Sequence, residues 1–283
     1  MPNIVLDTLE TGLIYGLIAL GIYLTFRIID FPDLTVNSSF TLGASVATVM
    51  ITNGINCIIA TVCATIAGFF AGAATAFLNV QCKIQNLLSS IIVMIGLTSV
   101  SLRIMGKPNL VLWQQEVIYT SFNINSIMIT TCIVVAVAMM LAYFLSSEVG
   151  LGIRISGRNP IMGNAYGVNH NNAIYTVLII SNGLVALSGA LLAQLQGFCD
   201  IGMGNGIIVI GLASVIIGER MTSTKKISML AISCLCGAVI YNVLIAISLN
   251  AAGSTLLASD IHIITAILMI FIMISKKDQE RSY

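Results

Sequence analysis

Six polar side chains crowd into nine positions near the start of the chain: Asp33, Thr35, Asn37, Ser38, Ser39 and Thr41. A carboxylate, an amide and four hydroxyls at that density can hydrogen-bond a small polar solute. The same groups can instead bond neighbouring helices or close a turn. The cluster is therefore a candidate solute pathway, with a polar interhelical contact as the alternative. A second group lies in the middle of the chain: Arg154, Gly157, Arg158, Asn159, Pro160, Tyr166 and Gly167. Asn159 followed by Pro160 is a helix start, with asparagine as N-cap and proline in the first turn. Gly167 is a plausible stop. The spacing predicts a short helix over roughly 160–166, a rigid knob carrying a charge (Arg158) and an aromatic anchor (Tyr166). A knob without reactive chemistry suits docking; an ordinary ordered loop is the plainer reading.

Motifs for enzyme chemistry are absent. The chain has no GxxxxGK[ST] nucleotide-binding loop, no HExxH and no GxSxG. His170 and His262 stand alone, as capping or interface residues do. The cysteines at 57, 63, 82, 132, 199, 234 and 236 form no CxxC and lie mostly in apolar runs. They read as small buried hydrophobes. No metal or cofactor is called for. Asp30, Asp33, Asp200, Glu219 and Asp260 fall near the ends of apolar runs. That placement speaks against a proton- or sodium-driven carrier, although a broken helix would bring Asp33 deeper.

The elements that must position these residues are set by missing charge. Only 8% of residues are charged, and none lies between Asp33 and Lys83. Further uncharged runs cover 84–102, 117–147, 201–218 and 227–259, and the mean hydropathy is +1.02. Roughly 20 apolar residues in a helix cross a bilayer, and lipid forces backbone groups to pair internally. The chain reads as an all-α polytopic membrane protein of about nine spans, within a range of eight to ten. The expected spans are 8–29, 34–52, 55–79, 86–105, 125–146, 172–195, 204–219, 227–249 and 258–275. Phe31-Pro32-Asp33 precedes one of them, and Gly202, Gly204 and Gly206 another. Those two, 34–52 and 204–219, are candidates for broken or re-entrant helices.

Nine spans with the N-terminus outside put Arg27, Lys83, Arg154, Arg158, Arg220, Lys225, Lys226, Lys276, Lys277 and Arg281 inside. Only Arg103 and Lys107 then fall outside. That asymmetry predicts a cytoplasmic C-terminus. No cleavable signal peptide is evident, so the first span is expected to serve as its own insertion signal. Residues 1–283 form one transmembrane domain, with 147–171 as a cytoplasmic loop. The outer loop 106–124 holds Trp113, a ring expected at the membrane interface. Small residues at four-residue spacing, Ala64, Gly68, Gly72 and Ala76, and also Gly12 and Gly16, let helices approach closely. They suit plain packing or a seam with a second copy. A net charge of +1 supports neither nucleic-acid binding nor polybasic lipid sensing.

The stretch Arg154, Gly157, Asn159, Pro160, Ala165, Gly167 and Asn169 resembles the cytoplasmic coupling segment of ABC-importer permeases of the branched-chain amino acid and ribose type. The runs 12–21, 183–193 and 206–218 are similar to that family too, and the resemblance covers about residues 8–275. Phe31-Pro-Asp-Leu-Thr-Val-Asn37-Ser-Ser-Phe-Thr-Leu-Gly43-Ala resembles a subgroup associated with tryptophan and tyrosine uptake. That subgroup has an acid and a glycine where this chain has Asn37 and Ser38, so a weaker grip on a substrate amino group is expected.

The resemblance implies a permease subunit in the plasma (inner) membrane that works as a pair with a second copy of itself. Separate ABC ATPase subunits would dock on a coupling helix near 157–167, and an external binding protein would deliver the solute. ATP would drive alternating access, moving an amino acid, aromatic first, with branched-chain amino acids, sugars and nucleosides behind. Tryptophan at 157 is expected to uncouple transport while leaving the fold intact. The alternative is an ion-coupled carrier or channel with a midplane site at 31–43 and 202–206.

Overall fold

A computed structural model describes residues 2–113, 115–121, 125–221 and 227–251. Helix α1 (Pro2–Ile22) runs straight into a π-helical turn, Tyr23–Ile28. Pro32 lacks a backbone donor, and the chain leaves helical geometry around it. The Phe31 N–H turns back to the Thr25 carbonyl at 2.9 Å, closing the widened turn. Helices α2 (Thr35–Thr52), α3 (Cys57–Val80) and α4 (Asn86–Met105) follow, then strand β1 (Asn109–Val111) and short α5 (Ile118–Ser121). Next come α6 (Ser126–Ser146), α7 (Glu148–Arg158), α8 (Pro160–Ala165) and α9 (His170–Gln196). Strand β2 (Phe198–Asp200), α10 (Ile207–Met221) and α11 (Ile227–Ala251) complete the described chain.

Six helices among the described residues are long and apolar enough to cross a membrane: Leu6–Ile28, Cys57–Val80, Asn86–Met105, Ser126–Ser146, His170–Gln196 and Met229–Ser248. The expected spans 34–52 and 204–219 are helical but differ in kind. Helix α2 is buried on nearly all sides. At 15 residues α10 measures about 22 Å, short of a roughly 30 Å hydrocarbon layer. The expected span 258–275 lies outside the described residues.

Helix α9 is the central post. Ser39 and Gly43 of α2 meet Asn182 and Ala186 of α9 in the same order, so the two run parallel. Gly72 and Gly68 of α3 meet Leu178 and Asn182 in reverse order, so α3 runs antiparallel to α9. A Cβ on Gly72 would collide with the Leu178 carbonyl. Ala64 packs with Ala47 and Ala190. On α1, Gly12 and Gly16 lie against Val239 and Leu235 of α11. Both small-residue stripes are thus used within the chain, as close helix packing. Ile14, Leu17 and Ile18 of α1 and Val177, Leu178 and Leu191 of α9 carry the apolar core. Phe70, Ile95, Met139, Met140 and Tyr143 face outward, as side chains against lipid do.

The helices alternate in direction, so the bundle has two distinct ends. The end holding the starts of α1 and α6 carries a small antiparallel ribbon, in which Asn109 pairs with Asp200 and Val111 with Phe198. This ribbon departs from an all-helical expectation. Gly106 and Gly197 end α4 and α9 just before its strands, both at positive φ, where glycine meets no Cβ clash. Trp113 beside β1 is exposed. Among the described residues, Arg103 and Lys107 are the basic residues of this end. Arg27, Lys83, Arg154, Arg158 and Arg220 gather at the opposite end, with α7 and α8.

Candidate functional site

The expected short helix is α8. The Asn159 Oδ1 accepts from the N–H groups of Ile161 (3.0 Å) and Met162 (3.2 Å), and Pro160 opens the first turn. Gly167 follows at φ +79. The stretch before it, read in sequence as loop, is helix α7. Ser147 caps it, Glu148 sits in its first turn and Arg158 in its last, each matched to the helix dipole. Three glycines in this helix obscured the signal, and each marks a close approach. Gly150 meets the Phe144 and Leu145 backbone, Gly152 meets Val168, and Gly157 seats on the Ile28 carbonyl.

Gly157 therefore cannot take tryptophan with the fold intact: even a Cβ there would strike Ile28. Arg154 is half-buried, while Arg158, Asn159, Pro160, Tyr166 and Gly167 are exposed. Two exposed apolar residues beside them were missed in the sequence. Ile161 is 81% exposed and Met162 54%, next to Tyr166 at 69%. The knob is an apolar tip rimmed by Arg158 and Asn159. The Ser156 hydroxyl and His170 Nδ1 lie 2.9 Å apart, tying α7 to the start of α9. His170 is thus an interface residue between helices.

The polar cluster lies in the bundle, around the start of α2. Asp33 is fully buried. Its Oδ2 accepts from the Asn182 Nδ2 at 2.8 Å, and its Oδ1 from the Thr35 N–H at 2.9 Å. Asn182 is the thirteenth residue of α9, about 18 Å along the axis from one end and about 21 Å from the other. Asp33 therefore sits near mid-depth, deeper than its place in the sequence indicates. The break at Pro32 carries it there.

The other members are engaged within the protein. Thr35 shares a hydrogen bond with Thr75 at 2.9 Å. Ser38 donates to the Met94 carbonyl at 2.8 Å and lies 3.0 Å from the Thr98 hydroxyl. Ser39 donates to the Asn182 Oδ1 at 2.6 Å, and Thr41 to the Asn37 carbonyl at 3.3 Å. Asn37 is half-buried, and its Oδ1 accepts from the Ile208 N–H at 3.1 Å, at the start of α10. The structure thus brings all six residues together as an interhelical network joining α2, α3, α4, α9 and α10. Asn182, Thr75 and Thr98 complete it and were not singled out in the sequence. An asparagine inside an uncharged run was the signal available for Asn182.

Among the described residues, no three His, Cys, Asp or Glu converge to hold a metal ion. Cys199 on β2 is buried, and burial pushes its thiol up to about 12. Arg27, in the π-helical turn, forms an ion pair with Glu219 of α10.

Residues 4–274 match the family described as branched-chain amino acid transport system / permease component. A tyrosine transport system permease protein of Clostridioides difficile (strain R20291) is 37% identical over 268 residues, covering 94% of this chain and 89% of that protein. An uncharacterized protein of Rickettsia prowazekii (strain Madrid E) is 33% identical over 224 residues, covering 77% and 78%. No solved structure matches. A buried post with a polar, buried partner helix, a capped knob at the basic end and a family match over nearly the whole length lead to one assignment: the chain belongs to the branched-chain amino acid transport permease family.

Proposed function

We propose that this permease is the membrane subunit of an ABC importer, paired with a second copy and driven by a separate ATPase that docks on α7 and α8. One observation carries the reading. The chain has no nucleotide-binding loop of its own, yet it presents a capped helix with an apolar tip, Ile161, Met162 and Tyr166, at its basic end. Exposed apolar residues rimmed by polar ones suit a protein interface. Positive charge at the same end supports a cytoplasmic placement, where ATP is available. Motion of the docked ATPase would bias a two-state bundle between outward- and inward-open forms.

The cargo in this reading is an amino acid, aromatic first, in keeping with the tyrosine permease relative. It would pass along the α2 face that holds Asn37 and Ser38, delivered by an external binding protein. An ion-coupled carrier would need a free acid at mid-depth. Both Asp33 oxygens are engaged by Asn182 and Thr35, which favours the ATP-driven reading.

The test is purification of the tagged permease from its native membranes in mild detergent, unaltered or as Ile161→Ser/Met162→Ser. A P-loop ATPase recovered with the unaltered chain and lost from the variant supports the reading. Recovery of no ATPase with either form refutes it.

A further inference from the structure

Arg27 grips Glu219 in a fork: Nε meets Oε1, and Nη2 meets Oε2 at 2.8 Å. Bidentate pairs of this kind fix orientation as well as charge. Arg27 is 51% exposed, and exposed ion pairs add little to stability. Its neighbour Ile28 carries Gly157 of α7 on its carbonyl. The knob, the π-helical turn and α10 therefore meet at one place.

The other end of α10 meets the polar cluster. The Ile208 N–H donates to Asn37 Oδ1 at 3.1 Å. Just before it, Gly204 packs against the Asn37 carbonyl and the Thr41 hydroxyl, and a Cβ there would collide with both. From Ile208 to Glu219 is about 17 Å of one uninterrupted helix. Along that length Gly211 sits against Ile18 and Ile22 of α1, and Gly218 against the Ser233 backbone of α11. A helix packed this closely on two sides moves as a body. Packed interfaces of this kind switch between arrangements rather than deform smoothly.

Resting on the importer reading, we infer that α10 is a strut carrying the motion of the α7–α8 knob to Asn37, and that Arg27 and Glu219 are the positioning residues that fasten it. Displacing the knob shifts Ile28 through Gly157. Arg27 moves with Ile28, and the fork hands that shift to α10. The start of α10 then moves against Asn37, at the centre of the polar cluster.

The test uses the permease–ATPase complex in lipid nanodiscs, with Asn205→Cys as reporter and exposed Cys82, Cys132 and Cys236 changed to serine. Asn205 is exposed and adjoins Gly204. Its maleimide labelling rate is compared with and without ATP plus vanadate. The expected change with an intact pair is about fivefold or more. Glu219→Gln, nearly isosteric, should abolish it while ATPase binding and the melting midpoint persist. The swap Arg27→Glu/Glu219→Arg should restore it, which a merely structural role would not require. A full nucleotide response in Glu219→Gln overturns the inference. So does a parent complex that hydrolyses ATP without any response at 205, or a swap that folds and stays silent. Absence of any bound ATPase brings down the importer reading, and this inference with it.

Discussion

The Asn182 amide donates to the Asp33 carboxylate at 2.8 Å across 149 positions of sequence. The same side chain accepts from Ser39 at 2.6 Å and donates to the Leu178 carbonyl at 3.0 Å, so one asparagine holds α9 to the start of α2. Asn182→Ala strips the buried carboxylate of its side-chain donor. The expected loss is about 1–3 kcal/mol of stability, read as a lower melting midpoint in detergent. Asn182→Asp should do worse, because it sets a second acid against the first. A midpoint unchanged by either substitution would show that Asp33 needs no partner there.

Gly157 and Ile161 lie four residues apart and should respond oppositely. Gly157→Ala drives a methyl into the Ile28 carbonyl, and overpacking of this kind costs about 1–3 kcal/mol. Ile161→Ser alters an exposed tip, so stability should stay within about 0.5 kcal/mol while ATPase association falls. Equal melting midpoints for the two variants would contradict the assignment of one to packing and the other to docking.

Cysteines report which way the bundle faces. Cys82 is exposed, at the end that carries α7 and α8. With the remaining cysteines replaced, a membrane-impermeant maleimide should label Cys82 in inside-out vesicles and leave it untouched in right-side-out ones. Labelling from the outer side would reverse the proposed orientation.

Cys199 gives the complementary chemical test. Burial pushes its thiol up to about 12, and only the thiolate is the nucleophile. Alkylation in the folded protein should remain negligible near neutral pH and rise only as pH climbs toward that value. Rapid labelling at pH 7 would mean that β2 does not bury this residue.

Glu10 is a buried acid near the start of α1, held by the Ser126 and Thr130 hydroxyls at 2.9 and 2.8 Å. Thr130→Val keeps the shape and removes one donor. A loss of about 1–3 kcal/mol is expected, with Thr130→Ser close to the parent in a thermal melt. A valine variant as stable as the parent would dismiss this contact as a fastening of α1 to α6.

Much of this was legible in the residues. Uncharged runs located the long helices because the bilayer demands length and apolarity from each span independently. Asn159-Pro160 located α8 because a cap is a local device. The two spans marked as candidate broken helices, 34–52 and 204–219, proved to be the inner helix α2 and the short α10. What stayed hidden depends on partners distant in sequence. Gly157 looks like part of an exposed knob until Ile28 is placed beneath it. Asp33 looks terminal until Asn182 shows its depth. Helix α7 was concealed because glycine has low helix propensity, and here close packing overrides that preference.

The β1–β2 ribbon has a consequence for how the chain is made. Its strands lie about 90 residues apart in sequence, and closing a loop of that length in a free chain costs about 4 kcal/mol of entropy. Neither strand can find the other until α6 and α9 have been threaded through the bilayer between them. Once those helices are in place, the ends are already held near each other and most of that entropy has been lost. The ribbon is then a latch that closes only after α9 is in place, joining the segment after α4 to the one before α10. Its formation marks a chain whose intervening helices have all been inserted with the right sidedness.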